Sequence, residues 1–154
     1  MHTLLVIVHL MAAAVWVGGV VALTFAAIPV VARLPAPERG AAMKAVGRRW
    51  RPIGWSALGV VALTGLELAR RWNAFDPDVL FSWERPGSLI LAKLVLGAAL
   101  LGLAAAHDYW LGPLLARQLR AGEEQTVRPA LVVVGRASLA ATLALPVLGV
   151  LIGR

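Results

Sequence analysis

The sequence predicts an all-α integral membrane protein, an antiparallel bundle of four transmembrane helices forming a single membrane domain over residues 1–154. Three observations carry that expectation. The 154 residues are 60% hydrophobic and 15% charged, whereas a soluble domain carries about 25% charged residues. Residues 3–32 contain no Asp, Glu, Lys or Arg, and about 20 apolar residues suffice to cross a bilayer. Three more apolar stretches follow, so the spans fall at about 3–31, 52–69, 88–107 and 130–152. Backbone amides in hydrocarbon must be paired within the structure, and continuous apolar runs of this length do so as helices.

The first span lacks a basic leader, and its apolar run continues past any cleavage site. It reads as a retained helix rather than a signal peptide. Pro29 near its end and Pro146 within the fourth span permit a kink or fray. The first connection, 33–51, holds Arg33, Arg39, Lys44, Arg48, Arg49 and Arg51. Pro35-Ala-Pro37-Glu38 is a helix-start signal. The stretch from Ala41 to Trp50 is then either an interfacial amphipathic helix or an extension of span two. The second connection, 70–87, sets Arg70, Arg71 and Arg85 against Asp76, Asp78 and Glu84. The third, 108–129, sets Arg117, Arg120 and Arg128 against Asp108, Glu123 and Glu124.

With four spans, connections one and three share one side, and both termini share the other with connection two. The first side carries nine Lys and Arg and the second four. The positive-inside rule places 33–51 and 108–129 in the cytoplasm and both termini outside, in a bacterial-type inner (plasma) membrane. A net charge of +7 taken alone suggests nucleic acid. Here the basic residues sit at the ends of apolar runs, which excludes that reading. There is no Cys, which excludes disulfides, thiolate metal sites and thiol redox chemistry.

Ionisable groups are costly inside a bilayer, so those present are functional candidates by default. His9 lies about six residues into span one from the outer side, and Lys93 about five into span three. Glu67 comes near the outer end of span two. At helical rise the three fall within one or two turns of the same height, an imidazole, an ammonium and a carboxylate from separate helices. Lys93, Gly97, Leu100, Ala104 and His107 form one stripe on span three, and His9, Ala12, Trp16 and Gly19 form one on span one. His107 and Asp108 end span three on the inner side, where Arg136 enters span four. His9 and His107 are about 20 Å apart in depth, too far to be two axial ligands of one haem. Each residue also has a structural alternative. Lys93 and Arg136 are within snorkelling reach, Glu67 can pair with Arg70 or Arg71 on its own helix, and His107 can mark the interface. Trp16 is mid-span and packs against something inside the bundle, while Trp50, Trp55, Trp72, Trp83 and Trp110 fit the interfacial belt.

The segment His9-Leu-Met-Ala-Ala-Ala-Val-Trp16-Val-Gly18-Gly19 resembles the first helix of the copper-resistance D (CopD) family. Ala92-Lys93-Leu-Val-Leu-Gly97 through Ala106-His107-Asp108 looks like a following helix of that group, and Gly135-Arg136-Ala-Ser-Leu is similar to its last. The HemJ-type protoporphyrinogen oxidases also pair a first-helix histidine with a lysine early in the third helix, positions that His9 and Lys93 occupy. In that group the last-helix Arg is followed by Asn-Glu-x-Pro. This chain has Arg136 and Pro146 without the Asn-Glu.

Three functions follow. The first is a haem b or other tetrapyrrole protein of membrane redox chemistry, an oxidoreductase of the protoporphyrinogen-oxidase type. In it His9 is the axial ligand, and Trp16, His107 and Arg136 are further cofactor contacts. Lys93 holds a propionate or substrate carboxylate, and Glu67 relays a proton. The second, which the CopD resemblance implies, is copper transport or resistance. His9 is joined there by His2, one seven-residue step away on the same face, with His107 as a separate ligand. The third is an accessory subunit of a larger membrane complex, with the buried charges serving helix association. Dimerisation through Gly- and Ala-rich faces fits all three.

Overall fold

The computed structural model describes residues 2–81, 87–121 and 123–152. Trp83, Glu84, Arg85 and Arg154 lie outside the described residues. All regular structure among the described residues is helical, and four helical stretches are long and apolar enough to cross a membrane: His2–Ala32, Glu38–Arg71, Gly87–Gln118 and Arg128–Ile152. The chain is an all-α membrane protein.

Two compact units divide the chain, Met1–Phe75 and Asp76–Arg154. The first is a helical hairpin. Helix α1 (His2–Ala22) runs through a π turn, Leu23–Ala27, into α2 (Ile28–Ala32), and a tight connection leads into α3 (Ala36–Arg71). Helix α1 packs along α3. His9 meets Thr64, and Trp50 meets Trp16 and Gly19, so the two helices run antiparallel. The second unit holds α4 (Pro77–Leu80), α5 (Gly87–Ala105), a π turn at Ala106–Leu111, α6 (Gly112–Ala121) and α7 (Arg128–Ile152). Both α5 and its π turn pack on α7.

Each π turn ends one residue before a proline. Ile28, ahead of Pro29, donates its N–H to the Leu23 carbonyl, and Gly112, ahead of Pro113, donates to the His107 carbonyl. In an α-helix the proline ring collides with the carbonyl four residues back and no N–H is offered to it. A turn one residue wider moves that carbonyl aside. Pro52 and Pro146 sit inside uninterrupted α-helix, so proline alone does not force the wider turn.

The helices outrun the spans read from hydropathy. The first connection is an extension of span two: α3 has 36 residues, about 54 Å at helical rise, against a hydrocarbon core of about 30 Å. Between spans three and four, the expected connection 108–129 shrinks to 122–127, because α6 continues through Ala121. Leu114-Leu-Ala-Arg-Gln-Leu-Arg-Ala121 is composed of strong helix formers, and Arg117 ends the apolar run without ending the helix.

Helix α3 stops in a Schellman cap. Asn73 adopts a left-handed conformation (φ 53°). Its N–H donates to the Arg70 carbonyl at 3.0 Å, and the Ala74 N–H donates to the Ala69 carbonyl at 3.0 Å. Asparagine tolerates that conformation better than most residues, and the cap buries Ala74 completely. Elsewhere the surface is apolar. Leu4, Leu10, Met11, Phe25, Val30 and Leu63 are all at least 60% exposed, as expected of side chains that face lipid. Burial is concentrated on small residues and a few leucines, among them Ala57, Leu58, Leu100, Ala104 and Ala141.

Candidate functional site

In the hairpin, His9 is held against α3 by one residue pair. Its Nδ1 lies 2.8 Å from the Thr64 hydroxyl. That hydroxyl has a single proton, and its shorter backbone contact, 2.5 Å to the Val60 carbonyl one turn back, takes it. The Val61 carbonyl at 3.3 Å lies on the same side. Thr64 therefore accepts from His9, and His9 carries its proton on Nδ1. Its other nitrogen, Nε2, holds the lone pair. This assignment follows from the donor inventory of the two groups. The next residue, Gly65, gives the ring its place: a Cβ there would come within 3.1 Å of His9 Cε1.

Two to three turns further along α1, tryptophans pack the same hairpin. Trp16 and Trp50 stand with ring centroids 6.0 Å apart and planes inclined at 35°. The Trp50 ring lies directly on Gly19, where a Cβ would fall 1.9 Å from one ring carbon and 2.1 Å from another. Gly18, its neighbour, faces open space. The Trp-x-Gly-Gly segment is thus a seat for an indole from α3. Trp16 finds its interior partner, and Trp50, placed in the interfacial belt by its position, turns inward instead.

Glu67 lies one turn beyond Thr64 and is committed to its own helix. Arg70 Nε and Arg71 Nε each approach its carboxylate to 2.7 Å, and Arg70 Nη2 adds a third contact at 2.9 Å. Its side chain is about one-third exposed (32%), and that of Arg70 is two-thirds exposed (66%). His2 is exposed in the first turn of α1, two turns from His9.

Lys93 belongs to the second unit, half-buried on α5. Its ammonium reaches α7 at Gly149, whose missing side chain makes room, since a Cβ there would sit 3.0 Å from Nζ. The expected α5 stripe faces inward, with Leu100 and Ala104 buried and Lys93, Gly97 and His107 half-buried. His107 lies in the second π turn, with Nδ1 3.0 Å from Asp108 Oδ1. A carboxylate only accepts, so Nδ1 is again the protonated nitrogen and Nε2 the basic one. Arg136 is exposed on α7.

Sequence reasoning found His9 and missed its partners Thr64 and Gly65. The depth argument that selected Glu67 applies equally to Thr64, six residues from the same end of the helix. It favoured a charge over a hydroxyl. Chemically, the two histidines share a setting: each ring donates from Nδ1 to a fixed neighbour and keeps Nε2 basic, the arrangement found in metal-binding imidazoles. Among the described residues, no three or more His, Cys, Asp or Glu side chains gather as a metal cluster.

Neither the curated proteins nor the solved structures gave a match. A family model described as copper resistance protein D (CopD) matches residues 44–152. The matched stretch contains Trp50, Thr64, Lys93, the His107–Asp108 pair and Arg136. It begins after the His9–Gly19 segment on which the resemblance in the sequence chiefly rested. Covering more than two-thirds of the chain, the match shows that this protein belongs to the CopD family.

Proposed function

We infer that the protein handles copper ions within the membrane, in uptake or resistance, with His9 Nε2 as a ligating nitrogen. Copper is the cargo in this reading. The observation that carries it is the His9–Thr64 pair, which fixes the tautomer that a metal needs, in a chain of the copper resistance protein D family. Imidazole is a good copper ligand, and the chain has no Cys to compete. His107, oriented by Asp108, offers a second nitrogen of the same kind, and exposed His2 an entry ligand.

Lys93 and Glu67 then hold charge in the membrane and do not bind metal. An ammonium has no lone pair, and the Glu67 carboxylate is already engaged by two guanidinium groups. Trp16 positions the hairpin, and Arg136 serves the interface.

A haem reading uses the same nitrogen, since a neutral imidazole is an axial ligand. The donor set fits that group less well. His9 is packed on Thr64 and Gly65, and it is not part of the wall of the apolar groove between α1 and α3, which includes Ile7, Met11, Val15, Pro52, Ser56 and Val60.

The test is copper content. Cells producing the full chain are compared with cells producing His9→Ala and His107→Ala, and copper is assayed in the cells and in the purified proteins. Loss of accumulated and bound copper in His9→Ala supports the reading. Unchanged copper, or a reduced-minus-oxidised haem spectrum that depends on His9 in protein without copper, overturns it.

A further inference from the structure

Helix α3 begins well before the hydrocarbon does. Its apolar part starts at Pro52, and residues 36–51 project from it by about 24 Å at helical rise. On this projection Lys44, Arg48 and Arg51 recur at steps of four and three, and Trp55 follows four residues later. At about 100° per residue the four positions fall within an arc of about 60°. Lys44, Arg48 and Arg51 are exposed. The half-buried Ala42, Val46 and Trp50 occupy the opposite side of the same turns, toward the hairpin. Between Glu38 and Glu67 the chain carries no carboxylate, so no acidic neighbour on the helix neutralises the stripe.

We propose that Lys44, Arg48 and Arg51 form a binding site for the phosphate of an anionic glycerophospholipid, with Trp55 marking the depth of the headgroup layer. Three cations within about 10 Å along one helix face match a phosphodiester and its neighbouring glycerol oxygens. Tryptophan is enriched at this level of the bilayer, and long basic side chains reach up to it from below. Basic clusters next to a membrane span attract anionic lipid with a gain of about fivefold per residue. The occupant is a lipid because the stripe stands at the boundary where headgroups are already at high local concentration.

Native mass spectrometry of the full-length protein tests this. It is released from nanodiscs of phosphatidylcholine containing a minority of phosphatidylglycerol, and retained lipids are counted by class. The triple variant Lys44→Gln/Arg48→Gln/Arg51→Gln should lose phosphatidylglycerol preference by roughly a hundredfold. The control Arg33→Gln/Arg39→Gln/Arg49→Gln removes the same charge outside the stripe and should retain the preference. Arg48→Gln alone should lose about fivefold, which keeps the test decisive if the triple fails to fold. Equal losses in both triples, or no loss in Arg48→Gln, overturn the site.

Discussion

Replacing Gly19 by alanine probes the contact that sets how closely α1 and α3 approach. The added Cβ would lie 1.9 Å and 2.1 Å from two carbons of the Trp50 ring and 2.9 Å from a third. Ordinary contact begins near 3.4 Å, so the indole must retreat by about 1.5 Å or the helices must separate. Overpacking of this size costs about 1–3 kcal/mol. Retreat also disturbs the Trp16–Trp50 contact, which contributes about 0.5–1.5 kcal/mol beyond buried area. Gly18→Ala is the internal control, because a Cβ there meets nothing within 4 Å, and its effect should stay within about 0.5 kcal/mol. The assay is reversible unfolding of the purified full chain by SDS in mixed micelles, followed by far-ultraviolet circular dichroism. Trp50→Leu should suppress most of the Gly19→Ala cost in a double-mutant cycle, since the partners are in contact. If Gly19→Ala matches wild type, or Gly18→Ala costs as much, the packing of α1 on α3 described above is wrong.

Other expectations follow from single contacts. Thr64→Val removes the acceptor for His9 Nδ1 and should destabilise the protein by about 0.6–2 kcal/mol in the same unfolding assay, whereas Thr64→Ser keeps the hydroxyl and should cost less. Gly65→Ala should lower copper retention without changing copper's ligand class, because its Cβ presses on His9 Cε1 at 3.1 Å; unchanged retention would show that the ring's position is unimportant. Asn73→Gly should be neutral or stabilising and Asn73→Val destabilising by about 1–2 kcal/mol, since only the former suits a positive φ. Pro113→Ala should let the π turn at Ala106–Leu111 relax to α-helix, read by hydrogen exchange at Gly112, whose N–H now bonds to His107.

Much of the fold was legible because hydropathy reports directly on what faces lipid. All four spans were legible, as was the inward stripe on α5 that carries Leu100 and Ala104. The ends of helices were less so. Arg39, Lys44 and Arg117 mark where the hydrocarbon ends, and a helix need not end there. At the site, a buried histidine stands out in an apolar run, so His9 was found. Thr64 and Gly65 did not stand out, since threonine and glycine are common in membrane helices for packing alone. Trp50 was misplaced for a related reason. Its position near a basic cluster fits the interfacial belt, and only the gap at Gly19 reveals that the ring turns inward.

Nitrogen-15 NMR of the histidine-labelled protein in bilayers, recorded before and after addition of Cu(I), bears most directly on His9. Without metal, Nδ1 of His9 should be protonated and Nε2 bare, and Thr64→Val should mix the two tautomers. With Cu(I), the Nε2 resonance should shift while Nδ1 keeps its proton. A His9 that carries its proton on Nε2, or whose resonances ignore copper, would contradict the copper role proposed for it.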